Sequence, residues 1–255
     1  MDALGTRMAI GLETLHHTDL VLVVDDEMYS RRITELILGK VGAPRVAAVE
    51  SVEEAEKILS RLDRGPRLVI LDVRMPVRGG LDLLRDIRSG RIAGVAREVP
   101  VIVLSGVEDE AVVAAAVALD ADAFVRKPLV AEGLRARLPL LLAEGRGVKD
   151  AESYAPAPPP PAGGTGPDTP PPGAVRIAPG DLQPLQIVMA DVRSLAGSLI
   201  VARGTVASGR LIGLLRDLAE QGLRMTPIWV RTAMDGGGER PPAGYTDRVN
   251  PLVMG

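Results

Sequence analysis

The chain has 255 residues, 46% hydrophobic and 25% charged, with a formal net charge of −3, which is the balance of a globular protein long enough for one substantial domain and a smaller one. So small a net charge gives no general attraction to nucleic acid or anionic membrane, and the absence of cysteine excludes disulfides, thiolate metal sites and cysteine nucleophiles. No window approaches the roughly 18 apolar residues of a membrane span.

Residues 1–18 carry Asp2 and Glu13 and no sustained apolar core, so they read as a leader and not a secretory signal, and a cytoplasmic protein is expected. His16 and His17, the chain's two histidines, have no third metal ligand nearby. Beyond the leader, Val21–Val24 reads as an apolar strand that ends in Asp25-Asp26. A helix with Ile33, Leu36, Ile37 and Val41 on its core face and Gly42 at its end follows, then a strand at Val46–Val49 and a helix capped by Ser51 with Ala55, Ile58 and Leu59 facing inward. The strand Leu68–Leu71 runs into Asp72, and after the Gly79-Gly80 turn Leu81, Leu84, Ile87 and the stem of Arg88 mark a third helix. Val101–Leu104 runs into Ser105, Ala111–Leu119 forms a slim alanine-rich helix, and Ala123–Arg126 runs into Lys127-Pro128. A fifth helix from about Leu129 presents Leu134, Leu138, Leu141 and Leu142, and Pro139 is expected to kink it or restart it.

Alternating helices and strands of this kind predict an α/β domain, a doubly wound five-stranded parallel sheet over residues 19–144. In such a sheet all carboxyl ends share one edge, so residues about fifty positions apart converge on one ligand. Singly, Asp25 or Asp26 could cap a helix, Ser105 a turn, Lys127 could be a solvated charge and Phe124 a core aromatic. Independent caps have no reason to fall on successive strand ends. Three carboxylates, a hydroxyl and a lysine at one edge describe a magnesium-dependent phosphoryl-transfer site. Mg2+ takes oxygen ligands and keeps waters, so one or two carboxylates suffice. A lysine ammonium and a serine hydroxyl can then bind the phosphoryl oxygens.

The acidic pair Asp25-Asp26, the run Leu71-Asp72-Val73-Arg74-Met75-Pro76 continuing to Gly79-Gly80, Ser105, and Phe124 three residues before Lys127-Pro128 resemble the CheY-like, flavodoxin-like receiver domain of two-component response regulators. The resemblance covers roughly Leu20 to Leu142. It implies that Asp72 is the phosphoacceptor and that Asp26, Asp72 and the Arg74 backbone carbonyl hold Mg2+ with Asp25 oriented behind them. It also makes Ser105 the hydroxyl switch, Phe124 the aromatic switch and Lys127 the phosphate partner. A cis peptide before Pro128, a small residue after the hydroxyl switch (here Gly106), a sensor histidine kinase or phosphotransfer protein as donor, and a homodimer through the fourth helix, fifth strand and fifth helix are implied in the same way. Two alternatives stay open: a receiver-like scaffold that is not phosphorylated, and an aspartyl-phosphate hydrolase resembling haloacid dehalogenases. The latter place the nucleophile in an Asp-x-Asp pattern after the first strand, unlike Asp25-Asp26 with a separate Asp72.

Residues 145–178 read as a Pro/Gly-rich linker, with Pro158–Pro161 and Pro170–Pro172 around Gly163-Gly164. Residues 179–230 read as a small α+β module. Its predicted parts are strands at Leu185–Met189 and Leu199–Val201 joined through a Ser194–Ser198 turn, a helix capped by Ser208 and ended by Gly222, and a last strand within Met225–Val230. So small a core is expected to pack on the receiver or to dimerise. Asp191-Val192-Arg193, Gly197–Ile200 and Ala202–Val206 are similar to a small module found beside HD-GYP phosphodiesterases. The catalytic histidines of those enzymes have no counterpart after His17, so the chain is expected not to be an enzyme of that kind. One clear helix and balanced charge argue against DNA binding and for a downstream protein partner. Residues 231–255, with Gly236–Gly238 and Pro241-Pro242, read as a disordered tail.

Overall fold

The computed structural model describes residues 15, 19–105, 110–142, 147–154 and 170–232. The rest of the leader with His16 and His17, Gly106, the Pro158–Pro161 and Gly163-Gly164 stretch and the glycines and prolines of the tail lie outside them.

Strands β1 (Leu20–Val24), β2 (Arg45–Val49), β3 (Leu68–Asp72), β4 (Val101–Ser105) and β5 (Ala123–Arg126) form one sheet in the order β2-β1-β3-β4-β5. All its pairings are parallel. Every residue of β1, β3 and β4 is buried, as expected of parallel strands covered on both faces. The period of two sorts their side chains. Leu22, Val24, Val69, Leu71, Val101 and Val103 meet helices α2 (Val52–Leu59), α3 (Gly80–Arg88) and α4 (Glu110–Ala118) on one face. Val21, Val23, Leu68, Ile70, Ile102 and Leu104 meet α1 (Met28–Lys40) and α5 (Ala131–Leu142) on the other. The predicted doubly wound sheet is the one observed.

Helix ends follow local chemistry. Ser51 Oγ accepts from Glu54 N at 3.2 Å to cap α2. Gly42, at φ +84°, ends α1, with Ala43 N donating to Leu38 O and Gly42 N to Gly39 O. The core face of α1 differs from the predicted one. Thr34, Ile37, Leu38 and Val41 form the buried stripe, whereas Ile33 and Leu36 are 46% and 54% exposed because they fall one step around the helix. Helix α5 runs through Pro139 without a break, since Leu134, Leu138, Leu141 and Leu142 are all buried and their packing holds it across the missing donor.

The linker is shorter than its composition suggests. Residues 147–154 return to the receiver, where the buried Tyr154 hydroxyl donates to Asp120 Oδ2 at 2.5 Å and accepts from Lys149 N at 2.8 Å. Proline counting passes over a single buried aromatic. Within the same stretch Val175–Ile177 forms β6, and Arg231-Thr232, assigned above to the tail, belong to β10 (Ile228–Thr232).

The module orders its second sheet as β6-β10-β7, with β7 at Gln186–Val188. The Ser194–Ser198 turn joins β8 (Val192–Arg193) to β9 (Leu199–Val201) and not β7 to β9, as Ser194 N donates to Ser198 O at 2.9 Å and Gly197 takes φ +90°. Ser208 caps α6 (Gly209–Glu220) through Leu211 N, and Gly222 ends it at φ +88°. Its Leu214, Leu215 and Leu218 are buried in a core continuous with the α4 side of the receiver. Helix α6 lies against β5 and β9 against α4, so the module covers the edge strand of the large sheet, an edge that would otherwise be open to pairing.

Candidate functional site

The strand order reverses between β1 and β3, which opens a crevice at the carboxyl ends of the strands. Asp25 and Asp26 follow β1, Asp72 closes β3, Ser105 closes β4 and Lys127 follows β5. Close approach of α3 to β3 requires glycine. A Cβ on Gly80 would stand 2.1 Å from the Asp72 carbonyl oxygen, and one on Gly79 would stand 2.7 Å from that of Val73. The connection between them turns at Val77, φ +67°, where Arg78 N donates to Pro76 O at 2.8 Å in a γ-turn.

Asp25, Asp26 and Asp72 each offer a carboxylate oxygen within 4.8 Å of the others. The three differ in freedom. Asp25 is fully buried, and its carboxylate accepts from Glu27 N at 3.0 Å and Ser30 Oγ at 2.6 Å and pairs with Lys127 Nζ at 2.8 Å. Asp26 is exposed, and Asp72 sits nearly buried with Lys127 Nζ 3.2 Å from its Oδ1. Burial raises the Asp72 carboxyl above the usual carboxylate range; Lys127 opposes this, and the neighbouring Asp25 charge adds to it. Burial lowers the Lys127 ammonium, but the Asp25 hydrogen bond and the Asp72 charge outweigh it and hold its pKa above the ordinary lysine value. The result is a cation poised between two carboxylates. An all-oxygen donor set of this kind suits a hard divalent cation.

Ser105 is buried, and its carbonyl accepts from Lys127 N at 2.9 Å; the Lys127-Pro128 peptide bond that follows is cis. Phe124 is buried on β5, and its carbonyl accepts from Gln221 Nε2 at 2.6 Å. Beside Ser105 and Phe124 lies a cavity of about 400 Å³, also lined by Leu218, Gln221 and Leu223 of the module. The sequence-predicted residues thus share one edge, with Phe124 one strand-length behind it. Two supporting groups escaped sequence reading. Ser30 orients Asp25, and Arg31 Nη1 donates to the carbonyls of Asp25 at 2.6 Å and Asp26 at 3.3 Å. Their signal, a hydroxyl and a guanidinium in the first turn after an acidic pair, is common on ordinary helices. Gln221 could not be found from its helix pattern alone.

Residues 21–139 match the family model described as response regulator receiver domain. Chemotaxis protein CheY1 of Helicobacter pylori is 31% identical over 123 residues, which are 48% of this chain and 95% of that protein. Through this domain the chain belongs to the response regulator receiver family, and with it to the signal-transduction proteins of two-component systems. The probable transcriptional regulator ycf27 of Cyanophora paradoxa is 37% identical over 122 residues, 48% of this chain and 47% of that protein. Of such regulators the chain spans about half the length. A solved receiver domain protein from Clostridium thermocellum is 27% identical, covering 49% of this chain and 94% of that one, at a TM-score of 0.43. No helix among the described residues is long and apolar enough to cross a membrane.

Proposed function

We propose that Asp72 accepts a phosphoryl group from a histidine kinase or a phosphotransfer protein, and that the phosphorylated state alters contacts of the receiver and its C-terminal module with a protein partner in the cytoplasm. The observation that carries this reading is the carboxylate trio with Lys127 bridging Asp25 and Asp72. In the transfer, an Asp72 carboxylate oxygen bonds to phosphorus while the bond from phosphorus to the donor's histidine nitrogen breaks. Asp26, Asp72 and the Arg74 backbone carbonyl would hold Mg2+, since the hydrogen bonds on Asp25 already occupy it. When bound, the ion supplies the positive charge that lets an anionic carboxylate approach an anionic phosphoryl group. Lys127, held protonated by its two carboxylates, places its ammonium on a phosphoryl oxygen, and Ser105 donates its hydroxyl to another. Movement of Ser105 frees Phe124 to turn toward it, beside the cavity that the module helps to line.

In this reading the chain is a phosphoacceptor and not a turnover enzyme. The relatives described as transcriptional regulators raise DNA binding as an output, but the described module presents a single α-helix and covers the receiver with it, which favours protein contact. Pairing of two receivers through α4, β5 and α5 requires the module to leave that face. Incubation with Mg2+ and acetyl phosphate followed by intact-mass measurement tests the proposal. A phosphate-sized gain is expected for the wild type alone, lost in Asp72→Asn and with chelator. No gain in folded wild type would favour the unphosphorylated scaffold.

A further inference from the structure

The module grips the receiver unevenly. Along most of α6 the polar contacts are complete: Arg137 Nη2 and Nε donate to the two oxygens of Asp217 at 2.7 and 3.0 Å, and Gln221 donates to the Phe124 carbonyl. Glu110 accepts from Ala196 N at 3.1 Å on the α4 side. At the first turn of α6 the balance differs. The receiver has already neutralised Asp122 with its own groups, since Asp122 Oδ2 accepts from Arg88 Nη2 at 2.8 Å and Val101 N at 2.7 Å. The rest of the Arg88 guanidinium is taken up by the carbonyls of Arg97, Val99 and Asp120.

Arg210 brings a second guanidinium to this finished pair. Its Nε stands 2.8 Å from Asp122 Oδ1, yet without the direction of a hydrogen bond, and its Nη2 is buried with no partner among the described residues. The Arg210 side chain is only 10% exposed. Two buried cations therefore share one carboxylate, and Arg88 itself is lowered, first by burial and then further by the Arg210 charge.

We infer that Arg210 is a built-in release element: docking of the module on β5 is opposed by the incomplete pairing of this guanidinium, so the module is a cover that opens spontaneously and that an apolar residue at 210 would lock. A buried donor left without a partner opposes burial by its full desolvation, whereas an apolar side chain of similar shape does not. On release Arg210 regains water, Arg88 keeps Asp122, and the edge of β5 with the Phe124 carbonyl becomes reachable. The inference concerns the opening alone and does not require that Asp72 be phosphorylated.

Hydrogen exchange of the full-length chain, read by mass spectrometry over residues 121–127 and 209–220, tests it without phosphorylation. Arg210→Met is expected to slow exchange in both segments by between about fivefold and about a hundredfold. Arg137→Met, which strands Asp217, is expected to speed it, and residues 20–24 and 68–72 should exchange as in the wild type in both. Arg210→Leu provides a second reading should the methionine variant fail to fold, with slower exchange again expected. Unchanged or faster exchange in the folded Arg210 variants would overturn the inference, because Arg210 would then hold the module in place.

Discussion

The backbone approach that positions Asp72 is open to a one-atom-group test. Adding a methyl at Gly80 places carbon 2.1 Å from the Asp72 carbonyl oxygen, 3.0 Å from its carbonyl carbon and 3.1 Å from Leu71 Cβ. All three belong to a strand whose every residue is buried, so the strand cannot give way and the start of α3 must retreat by about 1 Å, with loss of the 3.3 Å bond from Gly80 N to Val73 O. Overpacking of this kind costs about 1 to 3 kcal/mol. Replacing a helical glycine returns at most about 1 kcal/mol. With about 1 kcal/mol more for the lost hydrogen bond, Gly80→Ala should lower the melting temperature of a chain of this size by roughly 2 to 12 °C and slow labelling by acetyl phosphate, because the retreat of α3 pulls on the connection from Val73 to Gly79, which includes the Arg74 carbonyl proposed to hold Mg2+. Gly39→Ala is the control: nothing lies within 4 Å of its added carbon, and helix propensity predicts a gain of up to about 1 kcal/mol. Thermal and urea unfolding measure both. A Gly80→Ala protein as stable as the wild type and labelled at the same rate would refute the argument that this contact places the site.

Val77 holds a strained positive φ while its side chain is 97% exposed, so Val77→Gly should stabilise the protein by about 1 kcal/mol in urea unfolding. Burial raises the Asp217 carboxyl despite Arg137, so the folded chain holds that proton more tightly than the unfolded one, and the group's contribution to stability falls as pH rises through its folded pKa. Removing the cation raises that pKa further. The deficit of Arg137→Met relative to wild type should then be largest at neutral pH and shrink on acidification, as pH-dependent unfolding can check. By calorimetry, Asp26→Asn and Asp72→Asn should each weaken Mg2+ binding at least about tenfold, whereas Ser208→Ala should leave it unchanged and cost about 1 kcal/mol of stability through the lost cap.

Much of the receiver was legible because its signals are local and strong. Apolar runs bounded by Asp25, Asp72, Ser105 and Lys127 mark strands by composition and site residues by position, and the parallel topology brings them together. Glycine punctuation at Gly42, Gly79-Gly80 and Gly222 was equally readable, since each serves a turn or close approach that other residues do not fit. Other features depend on contacts distant in sequence. Whether Ile33 or Thr34 faces inward on α1 is decided by the angle at which the helix meets the sheet. Tyr154 is anchored by Asp120, 34 residues away, and the three-residue β6 exists only because β10 pairs with it. The same holds for the module's place on β5: Arg137 and Asp217 are 80 positions apart, and nothing in either helix pattern points to the other.

Whether Asp72 is the phosphoacceptor is decided by locating the acyl phosphate. After labelling with acetyl phosphate and Mg2+, borohydride reduction converts a phosphorylated aspartate to homoserine, which peptide mass spectrometry places to the residue. Homoserine is expected at position 72 and at neither 25 nor 26. Conversion at Asp25 or Asp26, or labelling that persists in Asp72→Asn, would contradict this assignment.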